Sequence, residues 1–191
     1  MFLNLSENFY FRLNYLKERL TMAKLRISGI VNDSIVDGPG LRYTIFTQGC
    51  PHNCPGCHNP QTHDYKGGRK MSIKKIEKEI KDNPLLYGVT FSGGEPFIQA
   101  KLLLPIAKYV KEQGLELASY TGFLYEELIS GKIPYAKELL SFIDILIDGK
   151  FVLSQKSMDL RFKGSRNQRT IDVQKSLKEG KVVLSSNEKW V

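Results

Sequence analysis

Three cysteines lie within eight residues, in the segment Cys50-Pro-His-Asn-Cys54-Pro-Gly-Cys57, and the 191-residue chain contains no others. Pro51, Pro55 and Gly56 favour an irregular loop here, because proline interrupts helices and both residue types are common in turns. Thiolates at this spacing can converge on one metal centre, and a bound metal displaces the thiol proton. An odd, clustered cysteine count argues against a disulfide framework, which needs pairs.

The spacing alone leaves two kinds of metal centre open. Zinc prefers four ligands, and His52 or His58 would complete a Cys3His site. A cubane 4Fe-4S cluster normally takes one cysteine per iron, so three cysteines would leave one iron open to another ligand. Three unrelated buried cysteines are the weaker alternative at this density.

A second segment with chemical potential, Gly93-Gly94-Glu95-Pro96, directly follows the apolar run Gly88–Ser92. Glycine permits close approach of the backbone to a ligand, and a carboxylate offers charge-assisted hydrogen bonds to an ammonium group. The structural alternative is a tight strand-to-helix turn with a glutamate at the helix start.

The alternation of predicted elements indicates a single α/β domain with a parallel sheet, because strands separated by helices form βαβ units. Strands are predicted at 25–31, 41–47, 88–92, 115–120, 143–147 and 181–184, and helices at 72–81, 98–113, 125–129 and 135–142. Both chemical segments follow strands, which places them on the face where α/β folds build their sites.

Composition excludes several classes of protein. The chain is 41% apolar, enough for an ordinary core, and no apolar run approaches the roughly 18 residues of a membrane span. Charged residues interrupt the N-terminal segment, so it does not have a signal-peptide layout, and unpaired cysteines suit a reducing cytoplasm. We therefore expect a cytoplasmic protein without membrane contact.

The net charge of +8 is the remaining compositional feature. Lysines are spread along predicted helices such as 72–81, which indicates a solvated surface rather than a focused basic face. The chain also has no nucleic-acid recognition motif, so we do not expect nucleic acid as a partner. The functional alternative to a solvated surface is that the positive charge attracts an acidic redox protein as a partner.

Four motifs in order resemble the radical S-adenosylmethionine (SAM) superfamily, over roughly residues 24–184. The three-cysteine loop followed by Gly93-Gly94-Glu95-Pro96 carries the superfamily resemblance. Asp37-Gly-Pro-Gly40 looks like the subgroup that installs glycyl radicals in partner enzymes. The segment Phe162-Lys-Gly-Ser-Arg-Asn-Gln-Arg169 is similar to the end of anaerobic ribonucleoside-triphosphate reductase activating proteins.

This resemblance implies a partial (β/α) barrel of the radical SAM type, with about five or six βα units and a mostly parallel sheet. It also implies a 4Fe-4S cluster held by Cys50, Cys54 and Cys57, with S-adenosyl-L-methionine on the fourth iron. Reductive cleavage of SAM would yield a 5′-deoxyadenosyl radical, which generates a glycyl radical on the anaerobic ribonucleoside-triphosphate reductase. A flavodoxin or ferredoxin would supply the electron.

The resemblance further implies the residues that bind SAM. They are Gly56, Cys57, His58, Gly93, Gly94 and Glu95, with Asp148 and Lys150 at a later strand end. Many superfamily members carry an aromatic residue at the position of Gly56, so this chain departs from the pattern there. Contact with SAM or the partner is implied for Arg166, Asn167, Gln168 and Arg169, while a solvated basic loop is the alternative. His63 has no motif support and is expected at the surface.

Three other functions compete with this interpretation. Two are radical SAM enzymes, namely a pyruvate formate-lyase activase and an enzyme of deazaguanine synthesis. The third is a non-catalytic zinc-binding module. Iron and sulfide analysis of anaerobically purified protein would separate the enzymes from the zinc module.

Residues 1–21 carry no chemical motif, although Phe9, Leu13, Leu16 and Leu20 are spaced as on one face of a helix. We interpret them either as an appended helix, an N-terminal extension of a domain spanning 22–191, or as sequence upstream of a true start at Met22. A shortened chain that begins at Met22 should therefore keep its iron content and its SAM cleavage activity. Loss of either in anaerobic assays beside the full chain would show that the extension is integral.

Overall fold

The structure, a computed structural model, describes residues 23–191, so the expectations for residues 1–21 and Met22 lie outside the described part. Seven strands form one sheet in the order β3-β1-β2-β4-β5-β6-β7. Their bounds are Lys24–Ser34 for β1, Arg42–Thr47 for β2, Arg69–Ser72 for β3, Gly88–Gly93 for β4, Glu116–Tyr120 for β5, Ile145–Asp148 for β6 and Arg169–Asp172 for β7.

The four central strands β2, β4, β5 and β6 are parallel neighbours. Strand β1 pairs antiparallel with both β2 and β3, and β7 pairs antiparallel with β6. Strand β3 therefore runs in the direction of the central four, and the sheet is mostly parallel, as predicted. Within the described residues β3 and β7 form its two edges, so the sheet is open rather than closed.

Five α-helices pack with the sheet in the described part of the chain: α1 at Ile73–Asp82, α2 at Ala100–Glu112, α3 at Tyr125–Ile129, α4 at Ala136–Leu140 and α5 at Val173–Glu179. Helix α1 begins as predicted, because the Ser72 side chain accepts a hydrogen bond from the N–H of Lys75. It buries Ile73, Ile76 and Ile80 on one face. Among residues 23–191, each helix is too short or too polar to cross a bilayer.

Within residues 23–191, the strands β3, β4, β5 and β7 are each followed by an α-helix before the next strand, which is fewer than the five or six units expected. Strands β2 and β6 lead into long loops. The prediction of a strand at 181–184 is wrong, because only Leu184 forms an isolated bridge, to Ile171. The chain instead forms β7 and α5 within a charged stretch whose composition did not indicate them. Strand β7 forms because it pairs with the buried strand β6, although its own sequence does not favour a strand.

The C-terminus is fixed by Trp190, whose side chain is fully buried beside Ala118, Ile145 and Ile147. Its indole N–H donates to Glu116 at 3.2 Å, and its ring meets Phe162 edge-on with centroids 5.4 Å apart. Chain ends are usually poorly ordered unless they are tied down, and this residue ties down the end by filling the core.

Replacing Trp190 by Ala should lower the free energy of unfolding by roughly 3–5 kcal/mol, because it leaves a large cavity in the core. Urea denaturation of the apoprotein followed by circular dichroism measures this loss. Val191→Ala is the matched control, since Val191 is the next residue and is 52% exposed. Equal stability of the two variants would contradict the anchoring role.

Candidate functional site

The cysteine loop follows β2, at the carboxyl end of the parallel strands. It is irregular, as predicted, and Asn53 and Gly56 have positive φ angles of 46° and 71°. A backbone hydrogen bond forms a turn within the loop, because the N–H of Cys57 donates to the carbonyl of Cys54 at 3.1 Å. All three cysteines are free thiols of intermediate exposure.

All three cysteines line one cavity of about 750 Å³, and His52, His58 and His63 line it as well. Among the described residues, no three His, Cys, Asp or Glu side chains are grouped to hold a single metal ion. A cubane cluster does not require such a group, because each cysteine binds a different iron. Burial raises the pKa of the Cys50 thiol. Cysteine binds a metal as the thiolate, so a cluster at this site would displace that proton.

One residue that lines the cavity, His63, has a buried polar atom without a partner in the described part of the chain. The Nε2 atom of His63 is buried and has no hydrogen-bond partner among residues 23–191. His63 was expected at the surface, but it lines the cavity beside the cysteine loop, and its carbonyl accepts from the N–H of Cys50 at 3.3 Å. A buried group of this kind normally finds a partner, which a bound cofactor would supply.

The glycine turn after β4 packs directly against the cysteine loop. The N–H of Gly94 donates to the carbonyl of Thr47, and the N–H of Glu95 donates to the carbonyl of Gly49, both at 2.8 Å. A Cβ on Gly94 would lie 2.3 Å from the Gly49 oxygen, and Gly93 has a φ of 94°. Only glycine therefore fits at these two positions, and both residues line the cavity.

The Glu95 side chain has a different environment from its glycine neighbours, because it is fully buried. Its carboxylate accepts from the N–H of Phe97 at 3.0 Å, the hydroxyl of Thr121 at 2.9 Å and the N–H of Gly122 at 2.8 Å. His52 Nε2 lies 2.7 Å from the same carboxylate. Protein donors thus occupy its acceptor positions, and the adjacent backbone faces the cavity.

The strand end after β6 shows the same division between side chain and backbone. The buried Asp148 carboxylate accepts from the N–H of Tyr125 at 2.8 Å and from Arg169 Nε at 2.9 Å, with a second bond from Arg169 Nη2. These bonds, with a further pair to Glu126, hold the pKa of Arg169 above its ordinary value. Gly149 lines the cavity, and Lys150 is exposed.

The donor-rich segment 166–169 divides into a cavity residue and supporting residues. Gln168 lines the cavity, accepts from the N–H of Gly164 at 2.8 Å and donates to the carbonyl of Gly149 at 3.0 Å. Asn167 donates to the carbonyl of Lys150 at 2.8 Å, whereas Arg166 is exposed and reaches Ser157 at 3.2 Å. The segment closes the cavity by bonding to the loop after β6.

Several wall residues did not stand out in the sequence. Thr121 and Gly122 follow β5 and line the cavity, and their position after a predicted strand is the signal that would have found them. Phe151 packs against His58 with ring centroids 4.9 Å apart, and Phe162 closes the far wall. Phe162 begins the late motif 162–169 named above, whereas no local motif marks Phe151, whose position depends on how the loop after β6 folds back.

Comparison with known proteins indicates which kind of metal centre the chain carries. The family described as a 4Fe-4S single cluster domain matches residues 36–171. A pyruvate formate-lyase-activating enzyme from Clostridium pasteurianum is 39% identical over 113 residues, which are 54% of this chain and 48% of that enzyme. This family match decides between the two metal centres that the cysteine spacing left open, in favour of the iron-sulfur cluster.

Two further relatives cover more of the chain. The anaerobic ribonucleoside-triphosphate reductase-activating protein of Vibrio cholerae is 34% identical over 142 residues, covering 70% of this chain and 89% of its own length. The protein of the same name from Escherichia coli K12 is 32% identical over 142 residues, covering 70% and 90%. The chain described here, which matches the 4Fe-4S single cluster domain over residues 36–171, therefore belongs to the family of anaerobic ribonucleoside-triphosphate reductase-activating proteins.

Proposed function

We propose that this protein is a radical SAM enzyme that generates a glycyl radical on an anaerobic ribonucleoside-triphosphate reductase. One observation carries the proposal: the three cysteines, the Gly93–Gly94 turn and the strand ends at Thr121–Gly122 and Gly149 line a single cavity. These segments follow β2, β4, β5 and β6, so the whole carboxyl edge of the parallel strands faces one site. The proposed fold is accordingly a partial barrel of the radical SAM type.

The cofactors of the proposed reaction are a 4Fe-4S cluster and SAM. Cys50, Cys54 and Cys57 would hold the cluster, whose chemistry when bound is the one-electron reduction of SAM. The turn at Gly93–Glu95 and the loop residues Gly56 and His58 would bind SAM, and Gln168 and Gly149 would close the opposite wall. A low-potential donor such as flavodoxin or ferredoxin would supply the electron, in a reducing cytoplasm that suits free thiols.

The cavity mouth favours a protein substrate. Apolar side chains surround it at high exposure: Val31 is 43% exposed, Val36 is 74% exposed and Met158 is 88% exposed. Exposed apolar groups around an opening are typical of a protein contact surface. A glycine of the partner is an apt target, because its α-hydrogen is not shielded by a side chain and its backbone is flexible enough to enter the cavity.

A second candidate differs only in the partner. The similarity to the pyruvate formate-lyase-activating enzyme from Clostridium pasteurianum favours the same reaction on pyruvate formate-lyase. That similarity covers about half of the chain, whereas the reductase-activating proteins match 70% of it, which favours the reductase.

Replacing Cys54 by Ala should abolish SAM cleavage, because the chain has no fourth cysteine to take its place. Anaerobic reconstitution of the unmodified chain should give about four irons per protein with matching sulfide, and the variant much less. Lys178→Ala on the exposed side of α5 is the control. Full cluster content and turnover in Cys54→Ala would refute the ligand assignment.

The function itself is tested by electron paramagnetic resonance. Reductant and SAM alone should give slow, uncoupled SAM cleavage, because the open cavity admits water. Adding the anaerobic reductase should yield an oxygen-sensitive glycyl radical signal. A signal with pyruvate formate-lyase but not with the reductase would reassign the partner. Turnover of a small molecule with no protein radical would refute the activase function.

A further inference from the structure

A buried hydrogen-bonded pair links the cysteine loop to the glycine turn. His52 lies between Cys50 and Cys54 in the sequence, and its Nε2 is 2.7 Å from a carboxylate oxygen of Glu95. The His52 side chain is 6% exposed and that of Glu95 is 0% exposed. Among the described residues, this is the single side-chain hydrogen bond that joins residues 50–57 to the turn after another strand.

The other partners of Glu95 fix how its carboxylate is used. Two backbone N–H groups, from Phe97 and Gly122, need it as an acceptor. The Thr121 hydroxyl accepts from the N–H of Phe123 at 3.1 Å, so its proton is directed at Glu95. An ionised carboxylate only accepts, and therefore His52 Nε2 donates to it. The arrangement is complete without any ligand.

The His52 ring is confined on further sides. It meets Phe123 edge-on, with ring centroids 4.5 Å apart and an interplanar angle of 74°. It also rests on the backbone of Gly122, where an added Cβ would lie 2.3 Å from the ring. Fixing this ring restrains the backbone between two of the three cysteines.

We propose that Glu95 is a positioning residue: its carboxylate holds the cysteine loop in its cluster-binding shape through His52, and SAM contacts the adjacent backbone. The proposal rests on the proposed function in one respect, namely that the cysteines bind a cluster. The pair and the N–H of Gly122 join the turns after β2, β4 and β5, so the backbone between Cys50 and Cys54 is restrained without iron. Mutation of a group that orients metal ligands without binding the metal itself typically costs about tenfold to a hundredfold in metal affinity.

The experiment compares variants of His52, Glu95 and Gly122 in the full, reconstituted protein. The first readout is the rate of iron loss to a chelator under anaerobic conditions without SAM. The second is SAM affinity per intact cluster, followed by the change that SAM causes in the electron paramagnetic resonance spectrum of the reduced cluster. Circular dichroism melting of each apoprotein checks that it is folded.

His52→Leu should accelerate iron loss by about tenfold, because it keeps the side-chain volume and removes the donor. His52→Gln should restore much of the retention, since its amide can still donate to Glu95. Gly122→Ala should resemble His52→Leu by displacing the ring, whereas Gly29→Ala is the control, because its Cβ would meet no atom within 4 Å. Glu95→Gln should accelerate iron loss, and combining it with His52→Leu should add little.

The opposite pattern would overturn the proposal. If Glu95→Gln weakens SAM binding while iron loss stays at the unmodified rate, the carboxylate contacts SAM directly. If Glu95→Gln fails to fold, His52→Leu and Gly122→Ala decide the matter, and normal iron retention in both refutes the link. Failure of the proposed function is distinguishable from failure of this proposal. If the function is wrong, the unmodified chain itself takes up no cluster or makes no glycyl radical.

Discussion

The close approach of two strand-end turns is the constraint on which the site depends. The turns after β2 and β4 share two backbone hydrogen bonds, and the space between them excludes any side chain at Gly93 or Gly94. These bonds require neighbouring parallel strands, since only then do both carboxyl ends meet at one edge. These two hydrogen bonds thus hold the start of the cysteine loop against the glycine turn, and both segments line the cavity.

The opposite end of the same strands is held by a buried cation. Arg42 begins β2 and is fully buried, and its guanidinium donates to Glu116 at 2.8 Å and to the hydroxyl of Thr90 at 2.7 Å. Burial lowers the pKa of Arg42, and Glu116 partly offsets this effect. Thr90 in turn donates to the carbonyl of Asp37 at 2.9 Å, and Gly38 packs against Trp190. The Asp37-Gly-Pro-Gly40 motif therefore has a structural role beside the one its resemblance implies.

Local sequence predicted the buried elements well and the marginal ones poorly. Strands β2, β4, β5 and β6 were visible because strands buried on both faces read as apolar runs. Strand β3, Arg-Lys-Met-Ser, and strand β7, Arg-Thr-Ile-Asp, are short, charged edge strands that take their conformation from a neighbour. The three cysteines and two glycines were found because their chemistry is local. The contact between His52 and Glu95 was not predicted, because the two residues are 43 positions apart in the sequence and meet only in the fold.

The two carboxylates at the strand ends show why motif residues are hard to assign from sequence. A glutamate or aspartate beside a glycine suggests a ligand contact, yet Glu95 and Asp148 are both buried and both accept from protein donors. A buried carboxylate without such partners would be costly, so each needs a complete set of donors wherever it is placed. Here those donors come from neighbouring strand ends, and the carboxylates consequently join the loops. The glycines beside them, Gly94 and Gly149, leave backbone exposed to the cavity. One short motif thus carries two tasks, since the side chain holds the wall together while the backbone is free to face a ligand.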